Sequence, residues 1–189
     1  KKITKIVQIM KPKTIFHLAT YGAYSYQNNR DKIKKNNLDA AINLLDACKS
    51  IKFHVFINTG TNSEYGFKNK PMKESDVIIP NSYYAVFKAS FTNYCQFISI
   101  SKKLPIITVR PFHVYGPYEE NTRLIPTLIK CLLMNKSPNL VDSKISRDMI
   151  YINDVVDLFI TIATKKIDFG EIYNMGSGKN YTIKEIFET

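Results

Sequence analysis

No run of eighteen apolar residues occurs in this 189-residue sequence, so no bilayer-spanning helix is expected. Lys1 to Lys13 is basic but lacks an apolar core and a small-residue cleavage site, and so does not read as a secretory signal. Cysteine is scarce: Cys48, Cys95 and Cys131 lie far apart and are odd in number. That is neither a disulfide framework nor a metal-ligand spacing, and it suits a reducing, cytoplasmic setting. His17, His54 and His113 are equally scattered, so no metal site is expected. There is no internal repeat and no low-complexity stretch. Nor does an Arg-rich block with interleaved aromatics accompany the net charge of +11 (27 Lys+Arg against 16 Asp+Glu). The lysines are spread along the chain, often beside Asn and Ile. The charge therefore reads as a solvated surface facing an acidic small substrate, with no nucleic-acid partner and no membrane.

What is present is enough apolar material, 44%, to bury a core, over a length of one domain or a large part of two. The order is strand then helix, repeated. Ile3, Ile6, Val7 and Met10 recur at helical spacing. Thr14 to Ala19 is a short apolar run of strand type. Leu38, Ala41, Ile42, Leu45 and Cys48 make one apolar face of a helix over Asn36 to Ser50. Phe53 to Thr59 and Ile106 to Val109 are β-branched strands, separated by a helical stretch over Tyr83 to Ile100. Leu124 to Met134 and Val155 to Ala163 are helical. Ile172 to Met175 is a strand, and Thr182 with Glu185 three residues on predicts a capping box opening a last helix.

Near-continuous apolar strands alternating with helices imply a parallel sheet covered on both faces. Ligands of such sheets bind at the carboxyl ends of the strands. Chemistry is thus expected in Ala19 to Tyr24, Gly60 to Gly66 and Pro111 to Gly116, all rich in Gly, Tyr, Ser, Thr and His.

Tyr84 and Lys88 stand four apart and share a helix face. Alone, the pair reads better as a core tyrosine and a snorkelling lysine than as a catalytic couple. Its neighbours add meaning: Asn58-Thr59-Gly60-Thr61-Asn62-Ser63-Glu64-Tyr65-Gly66 before it, then Arg110-Pro111-Phe112-His113-Val114-Tyr115-Gly116-Pro117, Arg147-Asp148-Met149-Ile150-Tyr151-Ile152-Asn153-Asp154 and Tyr173-Asn174-Met175-Gly176-Ser177-Gly178 after it. In this order the set resembles the extended short-chain dehydrogenase/reductases, the NAD-dependent epimerase/dehydratases of nucleotide sugars.

The resemblance implies a partial Rossmann-like, doubly wound parallel sheet in residues 1–117. A mixed substrate-binding segment with late Rossmann elements follows in 118–189. It implies Tyr84 as the proton-transfer group at a sugar hydroxyl, Lys88 as its partner on the nicotinamide ribose, and Thr61 as a hydroxyl sharing the proton. A free tyrosine ionises near pH 10, so a nearby ammonium and the positive nicotinamide must favour phenolate. By the same resemblance Ala19, Tyr21, Asn37, Thr59, Pro111 and His113 flank the NAD or NADP. Asn62, His113 and Arg147 face the nucleotide-diphosphate sugar, Arg147 through its bidentate fork. Asn37 reads equally as an ordinary helix N-cap. Gly176-Ser177-Gly178-Lys179 lacks the spacing of a P-loop and is expected to be a turn.

Family members begin with a glycine-rich loop, whereas here no glycine precedes Gly22. The resemblance therefore implies a piece of a larger enzyme, inactive and weak in NAD(H) binding by itself, and a homodimer when complete. The 4,6-dehydratases carry Thr-Asp-Glu where this chain has Thr61-Asn62-Ser63, and Glu64 is expected to point elsewhere. The leading expectation is a 4-epimerase or 4-keto reductase serving surface-polysaccharide synthesis. The rivals are a 4,6-dehydratase, a non-catalytic nucleotide binder and, last, a nucleic-acid binder.

Overall fold

The computed structural model of the chain describes residues 2–68, 70–138, 145–165 and 168–188. The chain divides into two compact units. The first comprises Lys1–Pro111 with Phe159–Asn174, the second Phe112–Leu158 with Met175–Thr189.

The first unit opens with helix α1 (Lys2–Met10), strand β1 (Thr14–His17) and helix α2 (Arg30–Lys34). Asn29 caps α2, accepting from the Lys32 backbone N–H at 2.9 Å. The helix then passes through one π turn, Lys35–Asp39, into α3 (Ala40–Cys48). The helical run therefore starts at Arg30 rather than Asn36. The amphipathic pattern misses α2 because Ile33 is its one buried side chain. Strand β2 (Val55–Thr59), a short 3-10 turn (Asn62–Tyr65), helix α4 (Tyr83–Lys102) and strand β3 (Ile106–Pro111) follow.

β1 and β2 pair in parallel from Thr14 opposite Val55 to His17 opposite Asn58. β2 and β3 pair in parallel from Phe56 opposite Ile106 to Thr59 opposite Val109. Every residue from Val55 to Asn58 and from Ile106 to Arg110 is buried. This is the signature of a sheet covered on both faces. One cover is built from Val7, Ala41, Leu45, Cys48, Phe91, Cys95 and Ile98 packed over Ile15, Phe56 and Ile106. Ser82 caps α4 through the Ala85 N–H, and Lys103 ends it in the left-handed conformation.

In the second unit, strand β4 (His113–Tyr115) pairs in parallel with β5 (Ser146–Tyr151), with α5 (Leu124–Leu133) between them in sequence. Helix α6 (Ile152–Thr164) leads back to the first unit, where β6 (Ile172–Met175) completes the sheet order β1-β2-β3-β6. Strand β7 (Asn180–Thr182) pairs antiparallel with β5 and runs into α7 (Ile183–Glu188). The expected capping box is formed there: Thr182 N–H donates to Glu185 Oε2 at 2.7 Å, and Glu185 N–H to Thr182 Oγ1 at 3.1 Å.

Candidate active site

The carboxyl end of β2 sets the geometry. Thr61 is extended and caps the 3-10 turn: its hydroxyl accepts from Ser63 N–H at 3.2 Å, while its own N–H donates to Glu64 Oε1 at 3.0 Å. Asn62 and Ser63 are half-buried on this turn. The turn ends at Gly66, with φ +72°, where any Cβ would lie 2.0 Å from the Ile79 carbonyl oxygen. Glycine is thus required for the Ile79 backbone to cross here.

Helix α4 brings Lys88 to the same strand end. Tyr84 is half-buried, one turn before Lys88, which is 4% exposed. Lys88 Nζ donates to the Thr59 carbonyl. Burial pushes the Lys88 ammonium down to about 8, against the opposing pull of the Glu64 carboxylate. At pH 7 the charged form still dominates. Thr59 Oγ1 is buried and meets no hydrogen-bond partner among the described residues. His17, on β1, is driven down to about 4 by burial and then by Lys88, so it is neutral, bonded to Asn58 Oδ1 at 3.4 Å.

Asn37 is not an N-cap. It lies inside the helix, on the π turn, and is 1% exposed. Its amide clamps the loop after β1: Oδ1 accepts from Tyr21 N–H at 2.9 Å and Nδ2 donates to the Tyr21 carbonyl at 2.6 Å. Ala19 is exposed at the same strand end, and Pro111 is half-buried at the end of β3.

Beneath the turn lies a buried network that motif reading missed. Arg110 and Glu64 form an ion pair at 2.9 Å with side chains 1% and 0% exposed. Arg110 Nη1 donates to Tyr65 Oη at 2.8 Å, and its guanidinium carbon stands 4.6 Å from the Tyr65 ring centre. Tyr65 in turn donates to Asn174 Oδ1 at 2.7 Å. Glu64 therefore points inward, as expected of a residue not facing substrate.

In the second unit, His113 and Arg147 line a cavity of about 290 Å³ with Arg123, Glu119 and Ile183. Burial lowers His113 to about 4, helped by the Arg147 and Arg123 charges and opposed by a hydrogen bond to the Asp148 backbone. Arg147 is also pushed down, first by burial and then by Arg123. Crowded cationic groups of this kind favour a bound anion. Arg123 was not singled out in the sequence, since nothing local marks it. Asp148 occupies the Gly176–Gly178 turn, accepting from Ser177 N–H (2.7 Å), Ser177 Oγ (2.8 Å) and Gly178 N–H (2.9 Å). Those donors are spoken for, so the segment is a turn and not a phosphate cradle.

The family model described as NAD dependent epimerase/dehydratase matches residues 1–176. The chain belongs to the NAD-dependent epimerase/dehydratase family. Its structure superposes with a TM-score of 0.88 on the UDP-glucuronic acid 4-epimerase of Bacillus cereus, solved with UDP-glucuronic acid and NAD, at 31% identity over 100% of this chain and 60% of that one. It is 30% identical to a dTDP-D-glucose 4,6-dehydratase of Dictyostelium discoideum, over 93% of this chain and 43% of that protein. It is 28% identical to the dTDP-4-dehydro-6-deoxyglucose reductase of Escherichia coli, over 100% of this chain and 61% of that protein. The chain thus spans between about two fifths and three fifths of the length of these relatives. The family covers epimerases, dehydratases and reductases of nucleotide sugars, on the Rossmann-like fold seen here. Among the described residues no helix is long and apolar enough to cross a membrane, and no group of three metal-ligating side chains occurs.

Proposed function

We propose that this chain carries the proton-transfer site of an NAD(P)-dependent nucleotide-sugar enzyme that epimerises a sugar carbon or reduces a 4-keto sugar. The observation that carries this reading is the buried Lys88 ammonium, tethered to the Thr59 carbonyl one helical turn from Tyr84. Holding an ammonium away from water is costly, and packing alone does not offset that cost.

The residues at the strand ends fit a dinucleotide. The unpartnered Thr59 hydroxyl and the Lys88 ammonium offer polar contacts at the end of β2, where a ribose would lie. The Asn37 clamp fixes the Tyr21 backbone at the end of β1, with Ala19 exposed beside it. Pro111 closes β3 at the same edge of the sheet. A cofactor held by these residues would supply hydride-transfer chemistry at the sugar carbon.

The chain's own groups handle the proton. Tyr84 takes it from the sugar hydroxyl and gives it back in epimerisation, or gives its own phenol proton to the 4-keto oxygen in reduction; Thr61 Oγ1 hydrogen-bonds the same oxygen, and the Lys88 ammonium favours the phenolate. Asn62 on the Thr61 turn contacts the sugar. Arg147 and His113 hold the diphosphate, whose negative charge relieves the mutual repulsion of Arg147 and Arg123.

The dehydratase reading has support in the Dictyostelium relative, but two observations stand against it. Asn62 and Ser63 cannot supply the carboxyl pair that elimination of water requires. The nearest carboxylate, Glu64, is fully buried against Arg110. The test is product analysis of the full-length enzyme by NMR and mass spectrometry, after incubation with oxidised NAD(P) and a panel of UDP- and dTDP-hexoses, and with NAD(P)H and the corresponding 4-keto sugars. Tyr84→Phe, which leaves the ring packing, serves as control. Isomeric or reduced products, lost by 10²–10⁴-fold in the variant, are expected. A product lighter by one water molecule restores the dehydratase, and normal turnover by the variant overturns the Tyr84 assignment.

A further inference from the structure

Glu64 has an environment made for a charge. Its Oε2 accepts from Arg110 Nε at 2.9 Å, and its Oε1 accepts from Thr61 N–H at 3.0 Å and from Thr92 Oγ1 at 3.1 Å. Asn58 Nδ2 donates to Thr92 Oγ1 at 3.5 Å, which leaves the threonine proton for Glu64. Each of these hydrogen-bond neighbours of the carboxylate is therefore a donor, so the ionised form is the one the site is built to hold.

The two oxygens face opposite ways. Oε2 turns to Arg110 on β3, whereas Oε1 turns to Thr92, one turn after Lys88 on the same face of α4. Lys88 Nζ grips the Thr59 carbonyl and Glu64 grips the Thr61 N–H, so both hold the same strand end. We propose that Glu64 is a positioning residue: its carboxylate, locked by Arg110, is the counter-charge of the Lys88 ammonium and the clamp of the turn that carries Thr61. This rests on the proposed function only in taking Lys88 as a working residue.

The other titratable groups facing Lys88 do not supply that charge. His17 is neutral above about pH 4, and the Cys95 thiol is driven far up by burial, so it stays protonated. Tyr84 lies one turn away on α4 itself, and Arg110 is a cation on the far side of Glu64. Among these groups Glu64 is the remaining anion, and it is the largest influence opposing the burial of Lys88.

The test needs no turnover. Lysine side-chain NMR on the 189-residue chain, with Lys88→Met identifying the signal, should place the Lys88 inflection near pH 8. In Glu64→Gln it should fall by on the order of one pH unit, a tenfold loss of proton affinity. An inflection unmoved in a folded Glu64→Gln overturns the proposal. Should that variant not fold, Lys88→Met decides through the reciprocal coupling: the Glu64 carboxyl carbon must titrate at higher pH than in the parent, and no change overturns the proposal. Coupling without turnover of any nucleotide sugar by the full-length enzyme refutes the proposed function alone. Turnover without coupling refutes the Glu64 role alone.

Discussion

Arg110→Met removes one partner of the most deeply buried ion pair among the described residues. Glu64 is then left as a carboxylate with 0% exposure and without its hydrogen-bonded countercharge, retaining the Thr61 N–H, the Thr92 hydroxyl and the attraction of the Lys88 ammonium. Breaking a buried pair by deleting one member costs about 3–5 kcal/mol. Tyr65 Oη also loses the donor at 2.8 Å, though it keeps Asn174 as its own acceptor. At about 2–4 °C per kcal/mol for a chain of this size, the melting temperature should fall by on the order of 10 °C.

The pH dependence has a definite sign. Burial already raises the Glu64 carboxyl above its ordinary value, and Arg110 is the main influence holding it down. Without Arg110 the folded-state pKa rises further above the unfolded one. The folded variant then binds a proton more readily than the unfolded chain, and stability is gained as pH falls through the folded pKa. The deficit is therefore larger at pH 8 than at pH 5, shrinking on acidification. Urea unfolding followed by circular dichroism at both pH values measures it. Glu64→Gln combined with Arg110→Met, which removes both charges, should recover most of the loss. A single-variant cost below about 1 kcal/mol, against the 3–5 expected for a buried pair, would refute the reasoning. So would a double variant less stable than the single.

Two further outcomes follow from the same geometry. Arg147→Ala should weaken binding of UDP by about tenfold or more, the loss of one charge-assisted contact of about 1.5–3 kcal/mol, and should flatten its salt dependence. Isothermal titration checks both, and unchanged affinity would remove Arg147 from the diphosphate site. Asn37→Ala leaves the N–H and carbonyl of Tyr21 without their amide partner and should cost about 1–3 kcal/mol. Faster amide exchange confined to the loop after β1 is the signature, and exchange spread evenly over the chain would contradict it.

What was legible in the sequence is what short-range pattern encodes. The β2 and β3 runs are buried on both faces, and continuous apolar residues say so without reference to anything distant. The Thr182–Glu185 box closes within four residues. Tyr84 and Lys88 share a face by helix geometry alone. What was not legible depends on partners far along the chain. Asn37 resembles a cap because Asn is a good cap, but the π turn aims it across the helix at Tyr21, sixteen residues back. The polar sequence of α2 hides its helix, since burial of Ile33 is all that its pattern offers. Glu64 meets Arg110 forty-six residues on, through the parallel pairing of β2 with β3. The strands β4, β5 and β7 are three to six residues long and half-exposed, so their order comes from pairing rather than from hydrophobic period. The candidate chemistry divides in the same way. Thr61, Tyr84 and Lys88 stand in recognisable local signatures, whereas the groups that fix and charge them are assembled only when the sheet closes.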